Sequence, residues 1–213
     1  MSYLIPLLVG LLILIPNVAG AQESAALAED PDDWQHRAAA IIAANADISG
    51  DPLIAAMIVC TGTACSHQDP ITLSDAEAGL LRALFADVDD AATERQRIGQ
   101  AIAQMENFTG SRNGTWADAP GNRHVDWDEP DQLDCVSEAI NTRNTLDRLI
   151  RSGLVVHHRL GDLVTRYTVL LQHVAVTITD DQGLEFVVDS WVGANGEPPD
   201  ILPYGEWRLQ WAV

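Results

Sequence analysis

This chain of 213 residues has no lysine, so all 12 of its basic residues are arginine. Covalent catalysis through a lysine Schiff base is therefore excluded, as is self-crosslinking through a lysine amine. Positive charge of any kind is scarce: 31 acidic residues against 12 basic ones leave a formal charge of −19. A polyphosphate surface would be repelled by such a chain, which argues against nucleic acid as a partner. The acids are spread along the sequence and read as solvated surface. There is no internal repeat and no low-complexity tract, so neither a solenoid nor a disordered tail is indicated. What remains is 47% hydrophobic and 20% charged, the balance of a globular chain long enough to bury a core.

The N-terminus sets the compartment. Leu4 to Ile15 is apolar apart from Pro6 and Gly10, shorter than a comfortable membrane span, and Ala19-Gly20-Ala21 supplies a small-x-small cleavage site before Gln22. Residues 1–21 are expected to be a secretory signal peptide, although no Lys or Arg precedes the apolar run. Left uncleaved, the same run would hold the protein at a membrane. No cysteine follows it, so a lipid anchor is not indicated. The expected location is outside the cytoplasm, in a bacterial periplasm.

Three cysteines in an exported chain leave one unpaired. Cys60 and Cys65 lie five residues apart around a Gly-containing loop and are the expected disulfide. Cys135 is the remaining thiol. No metal site and no cofactor is called for: Cys60, Cys65 and His67 lack a fourth ligand. The calcium-loop-like run from Asn45 to Asp51 carries Ala56 where a bidentate Glu is needed.

Residues 22–130 read as a helical N-terminal region. Trp34, Ile41 and Ile42 mark a helix over Asp33 to Ala46; Ser74-Asp75-Ala76-Glu77 is a capping box opening another; Ile98, Ile102 and Met105 form the stripe of a third, over Thr93 to Asn107. Thr109 to Pro130, rich in Gly, Asn, Asp and Pro and carrying Trp116 and Trp127, is expected to be a long surface loop. Residues 131–213 form the second part. A helix from Asp134 to Ser152 stops at Gly153 and is followed by strand-like runs over Leu154–Leu160, Tyr167–Leu171, His173–Thr179 and Leu184–Asp189. The tail after Trp191 reads as an irregular cover.

Three residues of this second part suit a catalytic triad. Cys135 stands at a predicted helix start, where unpaired N–H groups favour a thiolate. His173 opens one strand and Asp189 closes the next, and Asp180 to Gly183 is a hairpin turn that would bring them to the same end of adjacent strands. Nucleophile, base and orienting carboxylate follow in that order. Gln132 and the Cys135 N–H are the oxyanion-hole candidates, the former on proximity alone.

A Cys at a helix start, a His 38 residues later and an Asp 16 beyond that resembles the core of transglutaminase-like and related papain-like cysteine peptidases. Within them, the chain resembles the bacterial transglutaminase-like cysteine peptidase group. Asp189-Ser190-Trp191 is similar to the Asn-Ser-Trp segment of papain-type enzymes, which implies that Trp191 screens the His–orienter hydrogen bond. The resemblance covers Asp131 to Trp191. It implies an α+β fold in which a Cys-bearing helix packs on an antiparallel sheet, and a peptide or protein substrate, a peptidoglycan stem peptide among the options, cleaved or transferred through a thioester. The Asp134-Cys135 pair is also similar to NlpC-type cell-wall peptidases, though their Ser-Gly after the Cys is absent and their third residue is usually a His. A non-catalytic binding protein on the same frame is the alternative from another class.

The cysteine arithmetic carries the first prediction. Alkylation of the mature protein without reductant should label Cys135 alone by mass spectrometry; labelling of Cys60 as well would point to a reducing compartment.

Overall fold

The computed structural model describes residues 34–122, 129–167 and 172–210. The leader, the Asp126-Trp127-Asp128 stretch of the long loop, most of the expected strand at Tyr167–Leu171, and Trp211 lie outside them. Local sequence signals fix the helices. Helix α1 is Trp34–Ala46, α2 Asp75–Leu84, α3 Ala91–Asn113 and α4 Cys135–Arg151. Ser74 and Glu77 exchange the two bonds of a capping box at the start of α2, and Asp90 caps α3 by accepting from Thr93 N–H at 2.7 Å. Helix α3 runs past its expected end at Asn107 because its stop is Gly114, at φ 91°, and not the Thr109–Gly110 pair. Gly110 is buried in that helix, where a Cβ would come within 2.9 Å of Trp116 N.

The fold is α+β, with two antiparallel sheets among the described residues. Strands β1 (Met57–Thr61) and β2 (His67–Ile71) form a hairpin within the region expected to be helical. The Cys60–Cys65 disulfide closes this hairpin. The larger sheet has the order β3-β4-β5-β6, with β3 His158–Tyr167, β4 Gln172–Asp180, β5 Glu185–Asp189 and β6 Asp200–Pro203, every pair antiparallel. The strand expected over Leu154–Leu160 begins instead at His158 and continues to Tyr167 through a bulge between Leu160 and Leu163. Gly161 permits it: a Cβ there would lie 2.1 Å from Thr177 Oγ1, which itself bonds Asp162 N and O. The tail is not irregular throughout, since it adds β6 and a single helical turn, α5 (Tyr204–Trp207).

Helix α4 is the centre of packing. Leu146 and Leu149 on it join Leu53, Met57, Val59, Leu81, Ile98, Ile102, Ile178 and Val188 in one core, so residues from either side of position 131 share it. Arg148, also on α4 and 1% exposed, donates to the carbonyls of Pro52, Ala55 and Ala56 at 2.7 Å each, which satisfies an otherwise orphaned stretch of backbone. Glu94 does the same for the entry to β3. Burial works against its charge, but the His158 ring and the Val156 and His157 N–H groups outweigh that and hold its carboxyl below the usual range. His157 turns outward to Asp181 while His158 turns inward, the opposite facing expected of adjacent strand residues.

The small hairpin is tied to α4 by side chains. Asn141 bonds both Cys60 N and Cys60 O, at 2.7 and 2.9 Å, and Ser137 Oγ accepts from Cys65 N and donates to Gly62 O. Replacing Cys60 and Cys65 (five residues apart) by Ser should lower stability by about 2 kcal/mol, from the chain entropy of so short a loop. Urea unfolding of the double variant checks this; an unchanged midpoint would mean that the side-chain ties hold the loop unaided.

Candidate active site

The site begins at the first residue of α4. Asp134 is the N-cap: one carboxylate oxygen accepts from Ser137 N–H at 2.9 Å, the other from Ala64 N–H at 2.9 Å. Cys135 follows, so its own N–H is among those that helix geometry leaves without an intrahelical acceptor. The lead-in is held as firmly, with Gly62 N donating to Gln132 O at 2.8 Å and Leu133 N to Asp118 Oδ1 at 2.7 Å. The sulfur is half-buried, 3.9 Å from the carbonyl oxygen of Gln172 and in reach of Val174 N–H. It therefore rests on the β4 backbone on both sides of His173.

His173 is 1% exposed and its Nε2 lies 2.6 Å from Asp189 Oδ2. The hairpin register explains the meeting. Val176 pairs with Val188, which sets Asp189 opposite Ala175 and leaves His173 as its diagonal neighbour on the same face. The other ring nitrogen, Nδ1, is buried without a hydrogen-bond partner among the described residues, and so is Asp189 Oδ1. Trp191 lies against the imidazole with ring centres 4.8 Å apart, and its indole N–H donates to Asn122 O at 3.3 Å.

Gln132 does different work from that expected of it. Its Nε2 donates to Ala117 O and Asp131 O, and its Oε1 accepts from Asn122 and Ala119. Both amide hydrogens are engaged, so the side chain ties down the loop after α3. Of the two oxyanion-hole candidates, the Cys135 N–H is the one that stands at the helix start beside the sulfur. That loop forms a wall beside the site, also joined to Trp191 through Gly121 N.

Sequence reasoning missed Trp207, which is fully buried and donates its indole N–H to Asp189 Oδ2 at 2.7 Å. Its only signal was an aromatic residue in a proline-rich tail. Cys60 and Cys65 are bonded to each other and cannot serve as ligands, and no group of three or more His, Cys, Asp or Glu among the described residues could hold a metal ion.

The electrostatics correct one expectation. The helix start does not lower the Cys135 thiol: burial first, then the charges of Asp134 and Asp189, push it up to about 12, against the pull of Val174 N–H and its own N–H. The resting group is a neutral thiol. A cluster of acids lies behind it. Glu106 and Asp118 are each raised to about 7, chiefly by burial, and Glu138 well above its usual range by burial and by the acids around it. Glu106 and Glu138 line an enclosed cavity of about 20 Å³ between α3 and α4, room for one water. Glu106 also anchors the chain after Asp189, through Gly196 N at 2.9 Å and Ser190, whose hydroxyl also bonds Thr142.

No protein-family model, curated protein or solved structure matches this chain. No helix among the described residues is long and apolar enough to cross a membrane.

The raised acids give a pH prediction with a definite sign. A carboxyl whose folded value lies above its unfolded one favours the fold while protonated; the benefit is whole below about pH 4 and is lost as pH rises through the folded value. For Glu106 and Asp118 that loss runs up to about 7. Urea unfolding should show the protein more stable at about pH 5 than at about pH 8, and Glu106→Gln with Asp118→Asn should flatten the difference. Equal slopes in wild type and variant would refute the assignment.

Proposed function

We propose that this protein is an exported cysteine hydrolase or acyltransferase acting on amide bonds, with Cys135 as nucleophile, His173 as general base and Asp189 as orienter. The observation that carries the reading is the buried His173–Asp189 hydrogen bond of 2.6 Å, whose ring leaves Nδ1 unpartnered while the Cys135 sulfur rests on the same stretch of strand. Asp189 as the third group favours the transglutaminase-like reading over the NlpC type. The core of that reading is papain-like in the broad sense: a Cys-bearing helix on an antiparallel sheet. The disulfide supports export, and a bacterial periplasm is the compartment that suits it. The partly exposed Cys135 and the imidazole fixed on Asp189 favour an enzyme over a binding protein that has lost its chemistry.

In this mechanism the thiol is neutral until substrate arrives. His173 Nδ1 removes the proton as Sγ attacks the amide carbonyl, and Asp189 stabilises the imidazolium through Nε2–H. The oxyanion forms at the helix start, next to the Cys135 N–H. Collapse of the tetrahedral intermediate breaks the C–N bond; the imidazolium returns its proton to the leaving amine and an acyl-thioester remains. Water, or a second amine, then attacks the thioester with His173 again as base, which releases acid or a new amide and restores the thiol. Trp191 keeps water from the imidazole. The substrate class is a peptide or protein, a peptidoglycan stem peptide included.

A peptidyl fluoromethyl ketone tests the reading without knowledge of the natural substrate. It should label the wild-type protein stoichiometrically at Cys135 and fail on Cys135→Ala. In His173→Ala the second-order rate should fall by roughly 10²–10⁴-fold, the size of a general-base contribution. Labelling of His173→Ala at the wild-type rate would end the proposal.

A further inference from the structure

We infer that Trp207, supplied by the C-terminal turn α5, is a positioning residue that fixes the carboxylate of Asp189 for His173. The inference rests on the catalytic reading above and adds a member to it. Two donors converge on a single oxygen: His173 Nε2 at 2.6 Å and Trp207 Nε1 at 2.7 Å both meet Asp189 Oδ2, while Oδ1 has no partner among the described residues. One hydrogen bond to a carboxylate leaves it free to rotate and to exchange its oxygens. Two donors on one oxygen, from different directions, define the plane of the group. Phe would fill much of the same space but bring no donor to Asp189.

The indole is itself held in place. Arg166 on β3 donates to the Trp207 carbonyl at 2.8 Å, and its guanidinium lies 4.8 Å from the centre of the Trp207 ring. Strand β6 leaves β5 at Pro203, opposite Phe186, and the turn that follows lays Trp207 on Ala175 of β4 and Val187 of β5. The imidazole then has Trp191 at 4.8 Å and Trp207 at 5.8 Å, measured between ring centres. Both indoles exclude water from a hydrogen bond whose strength depends on a low local dielectric. The tail that reads as an irregular cover thus contributes a donor to the triad.

Trp207→Phe tests this with the same fluoromethyl ketone. The maximal inactivation rate should fall roughly tenfold to a hundredfold, the effect of a lost hydrogen bond to a charged group, while the half-saturating concentration of the ketone stays unchanged. The acid limb of the rate profile should move to higher pH, since Asp189, relieved of one donor, holds a proton on His173 more strongly. The downfield proton resonance of the His173–Asp189 bond should shift as well, and that readout needs no activity. A folded variant with wild-type rate, limb and resonance would overturn the inference. Should Trp207→Phe fail to fold, Arg166→Met loosens the indole without removing it. A shifted limb and resonance there support the inference, and an unmoved pair overturns it. If the wild-type protein is labelled but His173→Ala is labelled equally fast, the catalytic reading fails instead, and the resonance alone decides whether Trp207 governs Asp189.

Discussion

The carboxylate of Asp134 accepts one hydrogen bond from Ser137 N–H and one from Ala64 N–H, and the candidate site depends on that pair. The first bond caps α4; the second ties the cap to the loop closed by Cys60 and Cys65. Ala64 and Cys65 hold that loop in left-handed backbone, at φ 48° and 58°, a conformation that non-glycine residues adopt only when their surroundings over-determine it. Disulfide, Ser137 and Asn141 supply the over-determination. The residue that begins α4 is therefore held from outside the helix as well as from within it, and that residue carries the thiol.

The same arrangement places negative charge where a thiolate would form. Asp134 adjoins the sulfur, and Asp189 lies beyond the imidazole. Burial and these carboxyls outweigh the helix start. Under the proposed mechanism, such surroundings favour proton transfer to His173 during attack over a standing thiolate. It also makes the orientation of His173 the quantity that matters, and the protein fixes that orientation by a hydrogen bond on one side of the ring and an indole on its face.

Around this centre the fold joins elements distant in sequence. Gln132 and Asp118 bind the loop after α3 to the lead-in of α4, while Glu106 and Thr142 hold the segment after Asp189. Each of these is a short polar side chain meeting a backbone group or hydroxyl that would otherwise be orphaned, which is why they cluster where irregular segments cross the core.

The sequence by itself determined the helices with strong local signals: the capping box at Ser74, the apolar stripe of α3, and the helix from Asp134 to the Gly153 stop, all local chemistry readable within a few residues. It determined the hairpin of β4 and β5, because period and turn residues fix a register, and the meeting of His173 with Asp189 follows from that register. The Cys60–Cys65 pair followed from parity. Tertiary structure decided the rest. Whether Gln132 points an N–H at the sulfur or at the loop depends on where Ala117 and Asp131 lie, and no local pattern holds that information. The ionisation of Cys135 depends on burial and on carboxyls brought from elsewhere in the chain. The tail shows no period because four-residue elements carry too few positions to display one, so β6, α5 and the bond from Trp207 to Asp189 emerge only when the sheet assembles against them.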